Sequence, residues 1–179
     1  SFPTRRSSDL QSWEKVEWVK SLGITGYDLE TCRGTASNGK KMTVLFTTIN
    51  YCPLEPVFEN EDKRYIYSHK LILVSGIASD TPLRRYLSDS YDIVKHFKFN
   101  DHHKYTALDI SRITGATNKW PTALIATTEK DSQRLRNYKK MPETLQKKMF
   151  QTPIEVDFLS DHEKEVFEKT LLGALDSFR

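Results

Sequence analysis

Asp101-His102-His103 sets a carboxylate beside two imidazoles, a combination that moves protons near neutral pH or holds a metal ion. The same residue types also suit a solvated loop, and the residues alone leave both readings open. Thr127-Thr128-Glu129-Lys130-Asp131 is a second polar run, placed where a strand passes into a helix. Thr128 suits an N-cap, and Glu129 and Asp131 suit the positive end of the helix dipole. Lys130 gains nothing from that dipole, so it has either a functional partner or only solvent. Ser75-Gly76-Ile77-Ala78-Ser79 forms a third polar run, after an apolar one. Gly34–Lys41 matches the GxxxxGK pattern of a phosphate-binding loop, but Lys41 stands where a Ser or Thr hydroxyl would hold Mg2+. A true loop of that kind opens a helix. Here Met42–Phe46 follows, a β-type run, so Asn38-Gly39 is expected to turn a hairpin.

The elements that must position these groups follow from periodicity. Trp13, Val16, Val19 and Leu22 have helical spacing, and an amphipathic helix is expected over Trp13–Leu22. Tyr27–Arg33 and Met42–Ile49 read as strands around the Asn-Gly turn. Leu54–Phe58 and Tyr65–Tyr67 read as extended, with Pro53 and Pro56 confining the first to an edge. Leu71–Val74 has the continuous apolar run of a buried strand. Thr81 as N-cap with Pro82 after it opens a helix through Leu87. Ile93–Phe99, Thr122–Thr127 and Ile154–Phe158 are the next strands. A capping box of Thr106 and Asp109 starts the helix carrying Leu108, Ile110 and Ile113, and a further helix spans about Lys130–Tyr138. Ser160 and Glu163 cap a last helix whose Val166, Phe167, Thr170, Leu171, Ala174, Leu175 and Phe178 make one apolar face. Strand and helix thus alternate, which predicts an α/β fold: a three-layer α/β/α arrangement on a mostly parallel sheet, preceded by a hairpin-like segment. Ligands bind beyond the carboxyl ends of such strands, where all three polar runs fall.

Composition bounds the rest. A chain of 179 residues with 37% hydrophobic and 28% charged content can fold around a core, and a net charge of +3 is too small to imply a nucleic-acid partner. Cys32 and Cys52 stand far apart, without a CxxC pair, and read as reduced cytoplasmic thiols rather than a disulfide or zinc framework. No apolar run approaches the roughly 20 residues of a membrane-spanning helix. Lys139, Lys140, Lys147 and Lys148 flank Met141, Leu145, Met149 and Phe150, which reads either as a docking patch for an anionic membrane or as a solvated surface. Ser1–Leu10, SFPTRRSSDL, matches the translation of a common sequencing-adapter oligonucleotide and is set aside as an expected artefact, so the gene product is expected to extend upstream.

Four stretches, taken in order, resemble one family. Leu73-Val74-Ser75-Gly76-Ile77-Ala78 with Pro82-Leu83 is similar to V-x-G-I-A-x-P-x-x-L, and Phe99–Ile110 to F-x-D-H-H-x-F/Y-[ST]-x-x-D-[IL]. Thr127–Asp131 with Arg134-Leu135 resembles T-T-E-K-D-A-x-R/K-L, with Ser132 in place of Ala, and Thr152–Leu159 resembles L-P-I-E-V-x-F-L. Phe46–Tyr51 and Leu54–Phe58 fit the segment before these. The chain is identified on these motifs as the C-terminal half of a tetraacyldisaccharide 4′-kinase (lipid A 4′-kinase). The resemblance covers residues 42–179, whereas 11–41, a helix plus hairpin, match poorly.

The resemblance implies an ATP- and Mg2+-dependent enzyme that phosphorylates the 4′-hydroxyl of lipid A disaccharide 1-phosphate at the cytoplasmic face of the inner membrane. ATP and Mg2+ would be held mainly by an N-terminal P-loop domain that these residues do not supply, and the chain alone would be inactive. It implies Asp101 and His102 as catalytic residues, with His102 partnering an aspartate base of that missing domain. His103, Glu129 and Lys130 would lie near substrate or phosphate, with no metal ligand in this half. Two alternatives stand beside it. One is a metal-dependent phosphoesterase, since Asp-His-His is similar to the DHH motif, although the further aspartate motifs of that family are missing here. The other is a non-catalytic α/β binding module.

Overall fold

The computed structural model describes residues 10–176, so residues 1–9 of the adapter-like segment and Phe178 lie outside the described residues. Contacts divide the chain into two units, one formed by residues up to Asn50 together with those from Val156, the other by Tyr51–Glu155.

The first unit opens with α1 (Ser12–Ser21), followed by β1 (Ile24–Asp28), β2 (Arg33–Ala36) and β3 (Lys41–Thr43) in one antiparallel sheet of order β1-β2-β3. The GxxxxGK-like run is the β2–β3 hairpin turn, with Gly39 at φ 78°. Tyr27 belongs to β1, so the hairpin's first strand starts only at Arg33. Expectation and structure part at α1, which buries Val19 but leaves Trp13 and Leu22 exposed. They part again at the last helix, α6 (Asp161–Asp176), whose one buried residue among those described is Glu163; Phe167, Leu171 and Leu175 are exposed. Ser160 caps it, accepting from the Glu163 N–H at 3.2 Å. The Glu163 carboxylate gathers Lys15 Nζ at 3.0 Å and the Phe46 N–H at 3.3 Å, a polar anchor where an apolar face was expected. β4 (Thr47–Tyr51) and β10 (Ile154–Phe158) form a two-stranded sheet at the points where the chain passes between units. Ile154–Phe158 is therefore a strand as expected, but not a member of the parallel sheet.

The second unit is built on a five-stranded sheet of order β5-β9-β8-β6-β7. β6 (Lys70–Ser75), β7 (Asp92–Lys98), β8 (Leu124–Thr128) and β9 (Met149–Thr152) are parallel, and β5 (Glu55–Pro56) adds an antiparallel edge. Pro56 sits on that edge because it cannot donate to a ladder on both sides. β6 is buried from Leu71 onward and alternates between two cores. Leu71 and Leu73 meet Leu83 and Leu87 of α2 (Thr81–Ser88) on one face; Ile72 and Val74 meet Ile110 and Ile113 of α3 (Ala107–Lys119) and Leu135 of α4 (Glu129–Arg136) on the other. Both faces of a parallel sheet must be covered, and these helices cover them. The three-layer α/β/α reading holds for this unit.

Four local expectations change. The N-cap of α2 is Asp80, not Thr81, and its carboxylate bonds elsewhere. Tyr65–Tyr67 is the end of a 3-10 helix, Lys63–Tyr67, because the Asp62 side chain accepts the Arg64 N–H and turns the chain. Leu108 points to solvent from α3. The fourth parallel strand is β9, unforeseen in the sequence. It absorbs the apolar half of the supposed membrane patch: Met141, Leu145, Met149 and Phe150 are all buried, the first three on one face of the sheet and Phe150 on the other. Lys147 pairs with Glu143 of α5 (Glu143–Gln146), and Lys148 donates to the Pro121 carbonyl at 2.6 Å. Docking through those apolar residues is thereby excluded. Phe150→Ala is instead expected to cost about 3–5 kcal/mol of stability, read as a lowered urea midpoint at unchanged slope.

Candidate active site

From β6 the chain steps to β7 on one side, then returns past β6 to β8 on the other. That reversal makes the carboxyl ends of β6 and β8 a topological switch point, the position at which open α/β sheets bind ligands. The register Ser75↔Lys98 and Val74↔Thr127 brings the three strand ends level, and with them the three polar runs.

Asp131, wholly buried in the first turn of α4, is the group they share. Its Oδ2 accepts the Gly76 N–H at 2.7 Å and the Thr128 hydroxyl at 2.8 Å, while Thr128 Oγ1 accepts the Asp131 N–H at 3.0 Å as the N-cap. Its Oδ1 accepts from Arg134 Nη1 at 3.1 Å. Gly76 is required by this approach: a Cβ there would lie 2.9 Å from Asp131 Oδ1 and 3.3 Å from the Asn100 carbonyl. Tyr105 is buried nearby; burial first, then the Asp131 carboxylate, push its ionisation far up.

Asp101 and His102 occupy the turn after β7, closed by the His103 N–H donating to the Asn100 carbonyl at 3.2 Å. His102 has φ 61°, a left-handed conformation costly for a residue with a Cβ and often found at functional sites. Its N–H donates to Asp101 Oδ1 at 2.9 Å, and its Nε2 lies 3.5 Å from Asp101 Oδ2. Lys130 Nζ donates to Asp101 Oδ1 at 2.7 Å. The partner that Lys130 lacked in the sequence is therefore Asp101. That hydrogen bond is the largest influence on the Asp101 carboxyl; burial opposes it, the His102 N–H adds to it, and the net shift is downward. Arg134 Nη2 reaches His102 Nδ1 at 3.2 Å, joining the His102 turn to Asp131. The His102 side chain stays 75% exposed, so its ring can meet a ligand.

The remaining two candidate residues lie apart from this group. His103 turns the other way: its Nε2 lies 2.9 Å from Asp109 Oδ2, its ring stacks on Phe99 at 4.3 Å, and Tyr105 meets it edge-on. Asp109 also takes the Thr106 N–H and hydroxyl, completing the expected capping box. Glu129 is exposed, and its backbone carbonyl accepts from Ser132 Oγ at 2.7 Å. Asp101, His102 and His103 thus do not converge as a ligand set. Among the described residues no three His, Cys, Asp or Glu side chains gather as they would around a metal.

A second polar cluster had no signal in the sequence because its members are scattered. Asp80, buried, accepts from Lys98 Nζ at 3.2 Å and faces His96 Nε2 at 3.2 Å, and Ser75 Oγ lies 2.8 Å from that same nitrogen. Burial raises the Asp80 pKa, but Lys98 and His96 outweigh it and the net shift is downward; burial lowers that of His96. Ser75 is fully buried, so this serine–histidine–aspartate trio presents no nucleophile to a substrate. An open cavity of about 510 Å³ beside it, lined by Arg84, Ser88, Tyr91, Asp92, Ile93 and His96, lies along the β7 edge rather than over Asp101.

A family model described as tetraacyldisaccharide-1-P 4′-kinase (LpxK) matches residues 12–176, a span that takes in most of 11–41. A tetraacyldisaccharide 4′-kinase of Phocaeicola vulgatus is 36% identical over 154 residues, 83% of this chain and 42% of its own. That of Cytophaga hutchinsonii is 35% identical over 132 residues, 70% and 35%. That of Parabacteroides distasonis is 33% identical over 139 residues, 74% and 37%. The chain therefore spans about two-fifths or less of the length of these curated relatives. The LpxK structure from Aquifex aeolicus in complex with ATP aligns with TM-score 0.41 and 18% identity, covering 69% of this chain and 35% of that one.

Asp109 offers a test of the loop's anchoring. Burial raises its pKa, but hydrogen bonds from His103 and Thr106 prevail and the net shift is downward. A depressed carboxyl adds stability above its unfolded pKa, and that stability disappears as pH falls through the folded one. The urea midpoint should accordingly fall on acidification below the ordinary carboxylate range, and Asp109→Asn should flatten that acid limb.

Proposed function

Because the chain belongs to the tetraacyldisaccharide-1-phosphate 4′-kinase family, we propose that it is the C-terminal part of an enzyme that phosphorylates the 4′-hydroxyl of lipid A disaccharide 1-phosphate with ATP. The observation that carries the reading is the Asp101–His102 pair, exposed in a strained turn beyond the sheet and backed by Lys130. The GxxxxGK-like run is a hairpin turn, not the helix-opening loop by which ATP and Mg2+ would be held. Both are assigned to a P-loop domain outside this chain, and the chain alone is taken to be inactive. Lipid A disaccharide is a membrane lipid, so the intact enzyme works peripherally at the anionic inner-membrane surface, facing the cytoplasm. No helix among the described residues is long and apolar enough to cross a membrane.

The chemistry assigned to these residues is proton handling. A sugar hydroxyl is a poor nucleophile near neutral pH, and a carboxylate–imidazole dyad can take its proton while the O–H electron pair stays on oxygen. His102 supplies the imidazole, together with an aspartate base of the missing domain. Asp101, held ionised by Lys130, stabilises the charge that develops on the ring. Lys130 is also assigned positive charge near the phosphate being transferred, and Glu129 a place in the wider substrate vicinity; both are minor contributors. His103, tied to Asp109 and Phe99, shapes the turn.

The test is kinetic, in the full-length enzyme that contains this chain. His102→Asn removes the imidazole with a residue that tolerates positive φ, so the turn is kept. The expected result is kcat lowered by roughly 10²–10⁴ with ATP KM nearly unchanged, and no ATP-dependent product from the 179-residue chain alone. Near-normal kcat in His102→Asn would remove His102 from the chemistry, and product from the chain alone would overturn the division of labour.

A further inference from the structure

His102 is bonded at Nδ1 by a group that can only donate. A guanidinium carries no acceptor, so the 3.2 Å contact from Arg134 Nη2 requires a lone pair on Nδ1. The proton of the neutral ring then sits on Nε2, the atom 3.5 Å from Asp101 Oδ2, which can only accept when ionised. Each ring nitrogen thus faces the partner that suits this one tautomer.

The source of the orientation lies deeper in the fold. Arg134 is bonded through Nη1 to Asp131, and Asp131 is fixed by the Gly76 N–H and the Thr128 hydroxyl at the ends of β6 and β8. An imidazole as exposed as that of His102 has little packing to hold it. The arginine ties it to two central strands.

We propose that Arg134, anchored by Asp131, is a positioning residue that keeps His102 in the Nε2–H tautomer and presents Nδ1 as the proton-accepting atom. The proposal rests on the reading of His102 as the proton-handling group and adds which of its nitrogens does the work. An incoming hydroxyl replaces Arg134 as the donor to Nδ1, while the guanidinium stays held at Asp131. Neither Asp131 nor Arg134 need touch the reacting hydroxyl. Arg134→Lys keeps a donor near the same place, whereas Arg134→Met keeps only the length of the side chain.

The tautomer can be read without turnover, by two-bond ¹H–¹⁵N correlation spectra of the ¹⁵N-labelled 179-residue chain. At a pH where the ring is neutral, wild type is expected to show a pyridine-like Nδ1 and a pyrrole-like Nε2. In Arg134→Met the ratio of Nε2–H to Nδ1–H should fall about tenfold, the worth of one charge-assisted hydrogen bond, with most of it restored in Arg134→Lys. A wild-type ring with Nδ1–H in the majority overturns the proposal outright, whatever the variants do. An unchanged ratio in an Arg134→Met chain that keeps the wild-type amide spectrum overturns it equally. In the full-length enzyme the same variant should lower kcat with little change in ATP KM. If the tautomer shifts but kcat does not, Arg134 still sets the tautomer and the reading of His102 as the proton-handling group fails, so the two failures are separable.

Discussion

A carboxylate removed from water must find donors or destabilise the fold, and at Asp131 that requirement organises the edge of the sheet. Its two oxygens collect a backbone N–H from the end of β6, a hydroxyl from the end of β8 and a guanidinium from α4. Each donor has a reason to be where it is. Gly76 can approach because it has no Cβ, Thr128 because it is the cap, and Arg134 because it lies one turn along the helix. The last of these passes the constraint outward to His102. The strained turn of Asp101 and His102 is thus held at one side by Lys130 and at the other by a chain of bonds ending in the core.

The buried carboxylates near this edge do different work. Asp80 is matched by Lys98 and His96 and faces Ser75, so its charge is spent within the fold. Asp131 is matched by a backbone amide and by an arginine whose other amino group is directed at an exposed ring. Asp109 resembles Asp80 in this respect, holding His103 and the start of α3 together. The histidines of the Asp-His-His run therefore divide, one built into the structure and one left facing solvent. Adjacent residues in a turn point apart, and the bonds behind them decide which stays free.

Much of this was legible in the residues. The apolar run at Leu71–Val74, the Thr106–Asp109 capping box, the Thr128 cap and the Asn38-Gly39 hairpin each carry local chemistry that leaves few alternatives, and the strand–helix alternation led to the three-layer sheet. The edge on which the polar runs gather followed from that topology. What escaped depended on contacts distant in sequence. β9 is four residues without alternation, and its strand character comes from pairing with β8 and β5. Ile154–Phe158 has strand chemistry, but nothing local says that its partner is Thr47–Tyr51. Asp131 and Arg134 were visible as letters of a motif. Their joint role needed the Gly76 amide, 55 residues earlier, to be seen beneath them.

The central claim is that Asp131 binds the ends of β6 and β8 into one rigid platform for the His102 turn, and the Gly76 amide reports on it most directly. Gly76 lies beyond the last residue of β6, where an amide in an ordinary loop exchanges with solvent quickly. Native-state hydrogen exchange on the 179-residue chain should find it slowed by roughly 10³-fold or more, comparable with the core amides of β6, and released to loop rates in Asp131→Ala. A Gly76 amide that exchanges at loop rates in the wild-type chain, while the amides of β6 remain protected, would contradict the account.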